Sequence, residues 1–126
     1  MTRTFTCIAA ILGGISVASG AFASHALKEK LSERSLSIFE TATRYQMYHA
    51  LALLLVALLL SRAEPQPPTL LIATGWLFIV GIIIFSGSLY ALSLTDIKVL
   101  GAITLLGGAA FIAGWGALAI AAWSLK

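Results

Sequence analysis

Charged residues are scarce in this chain. Only 10% of its 126 residues are Asp, Glu, Lys or Arg, whereas 60% are hydrophobic, and the mean hydropathy is +0.99. A soluble helical bundle of this size needs charged residues along the outer face of every helix. Here long stretches carry none, so we predict that lipid rather than water surrounds them.

Cysteine and the common catalytic motifs are also lacking. The one cysteine, Cys7, lies within the first apolar segment, which excludes an intrachain disulfide and a multi-cysteine metal site. The sequence has no nucleophile elbow, no Walker loop, no HExxH motif and no paired carboxylates in its apolar segments. We therefore predict no metal site and no enzymatic activity.

Four apolar segments occur, and a helix that crosses a bilayer takes roughly 20 residues; three segments reach this length on their own, and the second reaches it with residues from its polar side. The predicted helices span about residues 5–24, 37–60, 69–92 and 99–123, with a polar loop at 25–36. Because the other connections are short, neighbouring helices should run antiparallel. The predicted fold is all-α, a single transmembrane domain over the whole chain that forms an integral membrane four-helix transmembrane bundle.

The first segment has a second interpretation as a signal peptide. Arg3, the apolar stretch and the small residues around Ala21 and Ala23 resemble the three regions of such a peptide. The uncharged stretch is longer than the usual apolar region of about 7–15 residues. We therefore interpret the segment as a membrane helix.

The second helix should begin before the lipid does. Ser37 and Glu40 fit a capping box, which marks a helix start. The purely apolar part at 50–60 is too short to span, so the helix must draw Arg44 and His49 towards the membrane. Pro65 and the two prolines after it then end the helix.

Basic residues indicate membrane orientation rather than nucleic-acid binding, although the net charge is +3. They are scattered singly, without a basic patch interleaved with aromatic residues. Three lie on the side of the termini and five on the opposite side, which favours termini outside the cytoplasm by the positive-inside rule. The lipid bilayer is the predicted partner, and nucleic acid is not.

Polar residues of three predicted helices converge in the membrane leaflet next to the polar loop. The members of this predicted polar cluster are His25, Glu40, Arg44, Tyr45, Tyr48, His49, Ser86, Ser88 and Tyr90. An unpaired charge at membrane depth costs roughly 2.5–3.5 kcal/mol on insertion scales, so we expect one hydrogen-bonded group. Replacement of Arg44 should then matter much more than replacement of Arg62, which lies at a solvated turn.

Three alternatives concern the same residues. Arg44 can extend to the headgroups, and His49 can hydrogen-bond a neighbouring helix as a packing contact. A haem held by His25 and His49 is geometrically conceivable, but His25 lies at a helix end beside lysines. We predict no cofactor.

Glycines recur with equal spacing in the first and fourth helices. They are Gly13, Gly14 and Gly20 in the first, and Gly107, Gly108 and Gly114 in the fourth. Small residues let helix backbones approach closely in lipid, so we predict that these two helices pack together.

Three groups of motifs carry a family resemblance that covers almost the whole chain. They are Gly20-Ala21-Phe22 with His25-Ala26-Leu27, the run Phe39-Glu40-Thr41-Ala42-Thr43-Arg44-Tyr45-Gln46-Met47-Tyr48-His49-Ala50-Leu51, and Phe85-Ser86-Gly87-Ser88-Leu89-Tyr90 with Gly107-Gly108 and Gly114-Trp115. On these residues the chain resembles the YgdD-like family of bacterial membrane proteins, catalogued as domain of unknown function 423. The resemblance implies a four-helix, multi-pass protein of the bacterial inner (plasma) membrane, related to a small mitochondrial-type membrane protein of eukaryotes. It implies no reaction, substrate or cofactor.

Three hypotheses for function remain open. The first is an interaction or accessory protein of a larger membrane complex, because the loops are too short for a catalytic or receptor domain. Its partner would be a membrane protein, or a second copy in a homo-oligomer. The alternative is a small oligomeric carrier or lipid- or anion-binding protein that uses the polar cluster. A membrane enzyme ranks third, since Glu40 and His49 have no nucleophile or metal set beside them.

Overall fold

The computed structural model describes residues 1–125 and contains four long helices. They are α1 (Thr2–Leu27), α2 (Glu33–Ala63), α3 (Thr69–Thr95) and α4 (Val99–Ser124). Each is long and apolar enough to cross a membrane. The predicted all-α fold of four membrane-spanning helices is therefore confirmed.

Local sequence explains where these helices begin and end. The Ser32 hydroxyl accepts a hydrogen bond from the backbone N–H of Ser35 at 3.1 Å and caps the start of α2. α2 ends just before Pro65, since proline cannot continue the backbone hydrogen-bond ladder. α3 ends where Asp96 takes a left-handed backbone conformation with φ of 56°.

Two predicted boundaries need correction. The predicted loop at 25–36 is helical at both ends, so the connection between α1 and α2 is only 28–32. α2 begins at Glu33, and the N-cap is Ser32, so Ser37 and Glu40 do not form a capping box. Charged residues do not mark a loop here, because a helix that leaves the lipid continues into water with charges on its surface.

Helices that follow each other in the chain pack against each other and run antiparallel. α1 packs along α2, α2 along α3, and α3 along α4. Contacts between α1 and α2 show the direction: Leu12 meets Gln46, whereas Ser16, one turn later in α1, meets the earlier residue Thr43. Within residues 1–125, α1 and α4 do not pack along each other.

A buried stripe with alternating spacings of three and four residues turns α2 towards the interior. Its members are Phe39, Ala42, Gln46, His49, Leu53, Val56 and Leu60. This spacing keeps side chains on one face of a helix. Two polar residues, Gln46 and His49, therefore point into the bundle together with the apolar ones.

Phenylalanine residues pack directly on glycines at contacts between helices. The pairs are Phe5 with Gly75, Phe78 with Gly114, Phe85 with Gly107, and Phe111 with Gly81. Three of the pairs are formed by the phenylalanine ring, and in the pair of Phe85 with Gly107 the phenylalanine backbone makes the contact. At each glycine, an added Cβ would meet atoms of the phenylalanine at less than ordinary van der Waals distance, so the missing side chain allows the close approach.

The predicted packing of the first helix on the fourth through glycines is wrong. Gly107 and Gly114 pack against α3, and Gly20 packs against α2. Gly13 and Gly14 have no neighbouring atom within 4 Å of a Cβ position. Equal glycine spacing in two helices shows that each helix has a face of small residues. It does not show which helices pack together, because this depends on where the phenylalanines that pack on those glycines lie.

The adjacent glycines Gly107 and Gly108 provide a matched test of this packing. A Cβ on Gly107 would collide with the backbone of Phe85, whereas one on Gly108 would lie 3.9 Å from its ring. We expect Gly107→Ala to lower the free energy of unfolding by about 1–3 kcal/mol, the usual effect of overpacking. Gly108→Ala should remain near wild type. Thermal unfolding of both variants in one detergent measures the difference, and equal midpoints would contradict it.

Candidate functional site

Arg44 does not enter the bundle. Its guanidinium lies 3.7 Å from the Glu40 carboxylate one turn earlier, and the two side chains are 62% and 44% exposed. His25 is exposed at the end of α1. The expected single hydrogen-bonded group around these residues is therefore not formed. The long arginine side chain can reach the headgroups from its position on the outer face of α2, so it needs no buried partner.

Gln46 holds the interior position that was predicted for Arg44. Its amide nitrogen donates to the Leu12 carbonyl at 2.8 Å, and its amide oxygen accepts from the Tyr90 hydroxyl at 2.7 Å. Gln46 thus joins α1, α2 and α3. The sequence analysis did not single out Gln46, because the residue is uncharged. Its position three residues before His49, on the same face of α2, could have indicated that it is buried.

Serines of the predicted cluster make separate contacts between helices. The Ser86 hydroxyl donates to the Ala42 carbonyl of α2 at 2.8 Å. Ser88 of α3 and Thr104 of α4 share a hydrogen bond of 2.6 Å. Every buried polar side-chain atom within the described residues has a partner. The buried polar groups of the interior are consequently hydrogen-bonded within the bundle.

His49 joins α2 to α4 instead of to the polar loop. One ring nitrogen, Nδ1, lies 2.7 Å from the Tyr45 carbonyl, and the other, Nε2, lies 3.1 Å from the indole nitrogen of Trp115. An indole N–H only donates, so Nε2 must accept and the ring proton belongs on Nδ1, where it donates to the carbonyl. The imidazole also stacks on Phe111, with ring centroids 3.5 Å apart and planes 7° apart.

These bonds leave no histidine nitrogen available for haem at His49. His25 is exposed near the loop, whereas His49 is buried between α2 and α4, so the structure does not bring the two together. Within residues 1–125, no group of three or more His, Cys, Asp or Glu side chains is placed to hold a metal ion. Cys7 is a free, exposed thiol.

A groove open to the bilayer runs between α2 and α4, with α3 as its floor. It has a volume of about 530 Å³. We call it the aromatic groove; its lining residues are Tyr45, Tyr48, His49, Phe85, Gly108, Phe111, Ile112 and Trp115. Of the predicted cluster, only the two tyrosines and His49 lie here, and sequence reasoning missed the contributions of α3 and α4.

The local backbone of α3 helps to form this groove. A π-helical turn covers Ile82–Ser86 in the middle of the helix. Within it Phe85 faces the groove, with its ring 4.8 Å from that of Tyr45, while the next residue, Ser86, is buried against α2. Single π-helical turns inside α-helices are frequent at functional sites.

A second, smaller groove of about 290 Å³ lies on the outside, between α1 and α2. It is lined by Gly20, Ser24, Glu40, Thr43 and Arg44. An anion that bound Arg44 here would have to compete with the carboxylate of Glu40. The charge arrangement therefore does not favour an anion site.

These features define a class of protein. The chain is a four-span helical membrane protein with a hydrogen-bonded polar interior and an aromatic groove that opens sideways into the bilayer.

The chain belongs to the family described as "Protein of unknown function (DUF423)", which matches residues 19–108. It is 44% identical over 119 residues to a UPF0382 membrane protein of Staphylococcus epidermidis, covering 94% of each chain. It is 46% identical over 119 residues to one of Staphylococcus aureus, again covering 94% of each chain. It is 42% identical over 120 residues to the UPF0382 membrane protein YwdK of Bacillus subtilis, covering 95% of this chain and 96% of that one.

These relatives confirm the predicted family and the predicted multi-pass membrane location. The relatives are named as membrane proteins. Together with the four apolar helices, these names are consistent with a location in the bacterial inner membrane. The names state no reaction. No solved structure matches the chain.

Gln46 should matter more for stability than either arginine discussed above. Gln46→Leu keeps most of the side-chain volume but leaves the Leu12 carbonyl and the Tyr90 hydroxyl without this partner. We expect a loss of about 1–2 kcal/mol, as for other interhelical hydrogen bonds in membranes. Arg44→Ala and Arg62→Ala should remain near wild type, because both side chains are exposed.

Thermal unfolding in detergent, with the folded fraction followed by size-exclusion chromatography, measures this ranking of variants. Wild-type stability of Gln46→Leu, or a marked loss in Arg44→Ala alone, would show that the ranking is wrong.

Proposed function

We propose that the protein is an accessory subunit that binds another membrane protein through the outer face of α1. The proposal rests on the exposed residues of α1. A second stripe, with the three-and-four spacing of residues that pack between helices, lies on the side that no helix within residues 1–125 covers. Its members, all exposed, are Ala10, Gly14, Val17 and Ala21.

This exposed stripe, which we call the open face of α1, is turned about 100° around the helix from the residues that pack on α2, because Ala10 and Val17 directly follow the buried Ala9 and Ser16. Ser16 is buried against α2, whereas Val17 is 64% exposed and Gly14 has no neighbour within 4 Å of a Cβ position. Of the four helices, α1 buries the smallest share of its most apolar segment, 17%. Three of the four members, Ala10, Gly14 and Ala21, are small, and small residues let a second helix approach the backbone closely.

The rest of the molecule supports a binding role over a catalytic or transport role. The connections at 28–32, 64–68 and 96–98 are too short to form a domain outside the membrane. The interior polar atoms of the described residues are already paired with each other. Contacts with other molecules are therefore left to the surface that faces the bilayer.

The carrier or lipid- and anion-binding hypothesis has less support at the predicted polar cluster. Arg44 is paired with Glu40 on the outer surface, and both nitrogens of His49 are hydrogen-bonded inside. The residues needed to hold an anion are thus divided between two places. Enzymatic catalysis lacks support for the same reason, since Glu40 is paired with Arg44 on the outer surface and His49, the other candidate for proton transfer, has both nitrogens hydrogen-bonded inside.

Site-specific photo-crosslinking in native membranes tests the accessory role. A benzophenone amino acid replaces Val17 on the open face of α1 or, as the matched control, Leu105 on α4, which is 75% exposed. We expect one discrete adduct with a different protein from Val17 and none from Leu105. The reason is that a partner helix excludes lipid from one face only.

Two results would contradict the accessory role. One is the absence of any protein adduct at Val17 when the probe reacts with lipid. The other is an adduct that contains only a second copy of this chain, which would indicate a homo-oligomer instead.

A further inference from the structure

The aromatic groove concentrates five aromatic rings at one place on a mainly aliphatic surface. Its walls hold Tyr45, Tyr48, Phe85, Phe111 and Trp115. The other exposed apolar side chains are mainly leucine, isoleucine and valine. An acyl chain gains nothing particular from aromatic walls, whereas a flat ring gains from offset-stacked and edge-to-face contacts with them.

The walls of this groove are fixed in place by the packing already described. The Phe111 ring rests on Gly81, the Phe85 backbone rests on Gly107 with its ring 5.3 Å from that of Phe111, and His49 is stacked on Phe111 with both of its nitrogens hydrogen-bonded. Because the rings are ordered within the fold, a ligand that enters between them does not have to order them first.

Two hydrogen-bond donors of the groove are not used within the bundle. The Tyr45 and Tyr48 side chains are 40% and 54% exposed, their rings lie 5.8 Å apart, and their hydroxyls are not used in the interhelical bonds described above. Ile112 and Trp115 lie near the middle of α4 and hence near the bilayer centre. Trp115 bonds to His49, the residue after Tyr48, so the tyrosines and the inner part of the groove lie close together in depth.

We infer that the aromatic groove binds a lipid-soluble quinone. The flat ring lies among the aromatic walls, its carbonyl oxygens accept hydrogen bonds from the hydroxyls of Tyr45 and Tyr48, and its apolar tail leaves into the bilayer past Ile112. The volume of about 530 Å³ falls within the range of small-molecule sites, about 300–1,000 Å³. This inference goes beyond the accessory role and does not depend on it.

Fluorescence quenching of Trp115 in the isolated protein tests this inference. The Trp76→Phe and Trp123→Phe substitutions leave Trp115, which lines the groove, as the only tryptophan. The protein is placed in lipid nanodiscs and titrated with a naphthoquinone that carries a short isoprenoid tail. We expect quenching that saturates at a small fraction of quinone in the lipid.

Two sets of variants assign the quenching to the groove. Gly108→Leu fills the groove and should abolish saturation, whereas Gly116→Leu, at a position on the same helix with no neighbour within 4 Å, should leave it unchanged. The double variant Tyr45→Phe and Tyr48→Phe keeps both rings and removes both hydroxyls. It should bind the quinone several-fold more weakly with an unchanged unfolding temperature.

Three results would overturn the quinone site. They are quenching that rises linearly without saturation, unchanged affinity in the double tyrosine variant, and equal competition by an isoprenoid alcohol without a ring, which would indicate a site for a hydrocarbon tail. If Gly108→Leu does not fold, the tyrosine variant decides. A protein adduct from a photo-crosslinker at Ile112 would assign the groove to a partner polypeptide and would also overturn the inference.

Discussion

Close contact between a phenylalanine and a glycine is the interaction that positions α3 and α4 against each other. Lipid gives helices no hydrophobic reason to associate, so dispersion between closely packed atoms must supply the attraction. Between α3 and α4 the contacts are reciprocal, with Phe85 on Gly107 of α4 and Phe111 on Gly81 of α3. The two helices therefore fix each other's register, and that register makes Phe85 and Phe111 walls of the aromatic groove.

The polar contacts depend on the same close approach. Ser16 and Ser86 have short side chains, yet their hydroxyls reach the carbonyls of Thr43 and Ala42 on α2 at 2.7 and 2.8 Å. Such bonds form only where two helix backbones lie near each other. Packing thus explains how the interior can contain polar residues, since their buried side-chain atoms are hydrogen-bonded within the bundle, several of them to a neighbouring helix.

Segment length and hydropathy sufficed to predict the four spans, because the thickness of the bilayer sets the length of a spanning helix and its hydrocarbon core requires apolar side chains. They did not locate the start of α2, since charges occur on a solvated helix as readily as in a loop. A charge predicts a buried partner only when its side chain cannot reach water, and Arg44 can. Gln46 lay on the same stripe as His49, so its burial was readable from spacing. The bond between His49 and Trp115 was not, because it depends on how α4 is positioned by its contacts with α3.

The packing of each helix on its neighbour in the chain has a consequence for biosynthesis. α1 and α2 form one antiparallel pair, and α3 and α4 form another, joined by the contact between α2 and α3. Since no extended contact links α1 with α4 within the described residues, the last helix to leave the ribosome does not have to find the first. Most contacts are local in sequence, a feature that favours fast assembly. The bundle can be built in the order in which it is translated, each new span docking on the one inserted just before it.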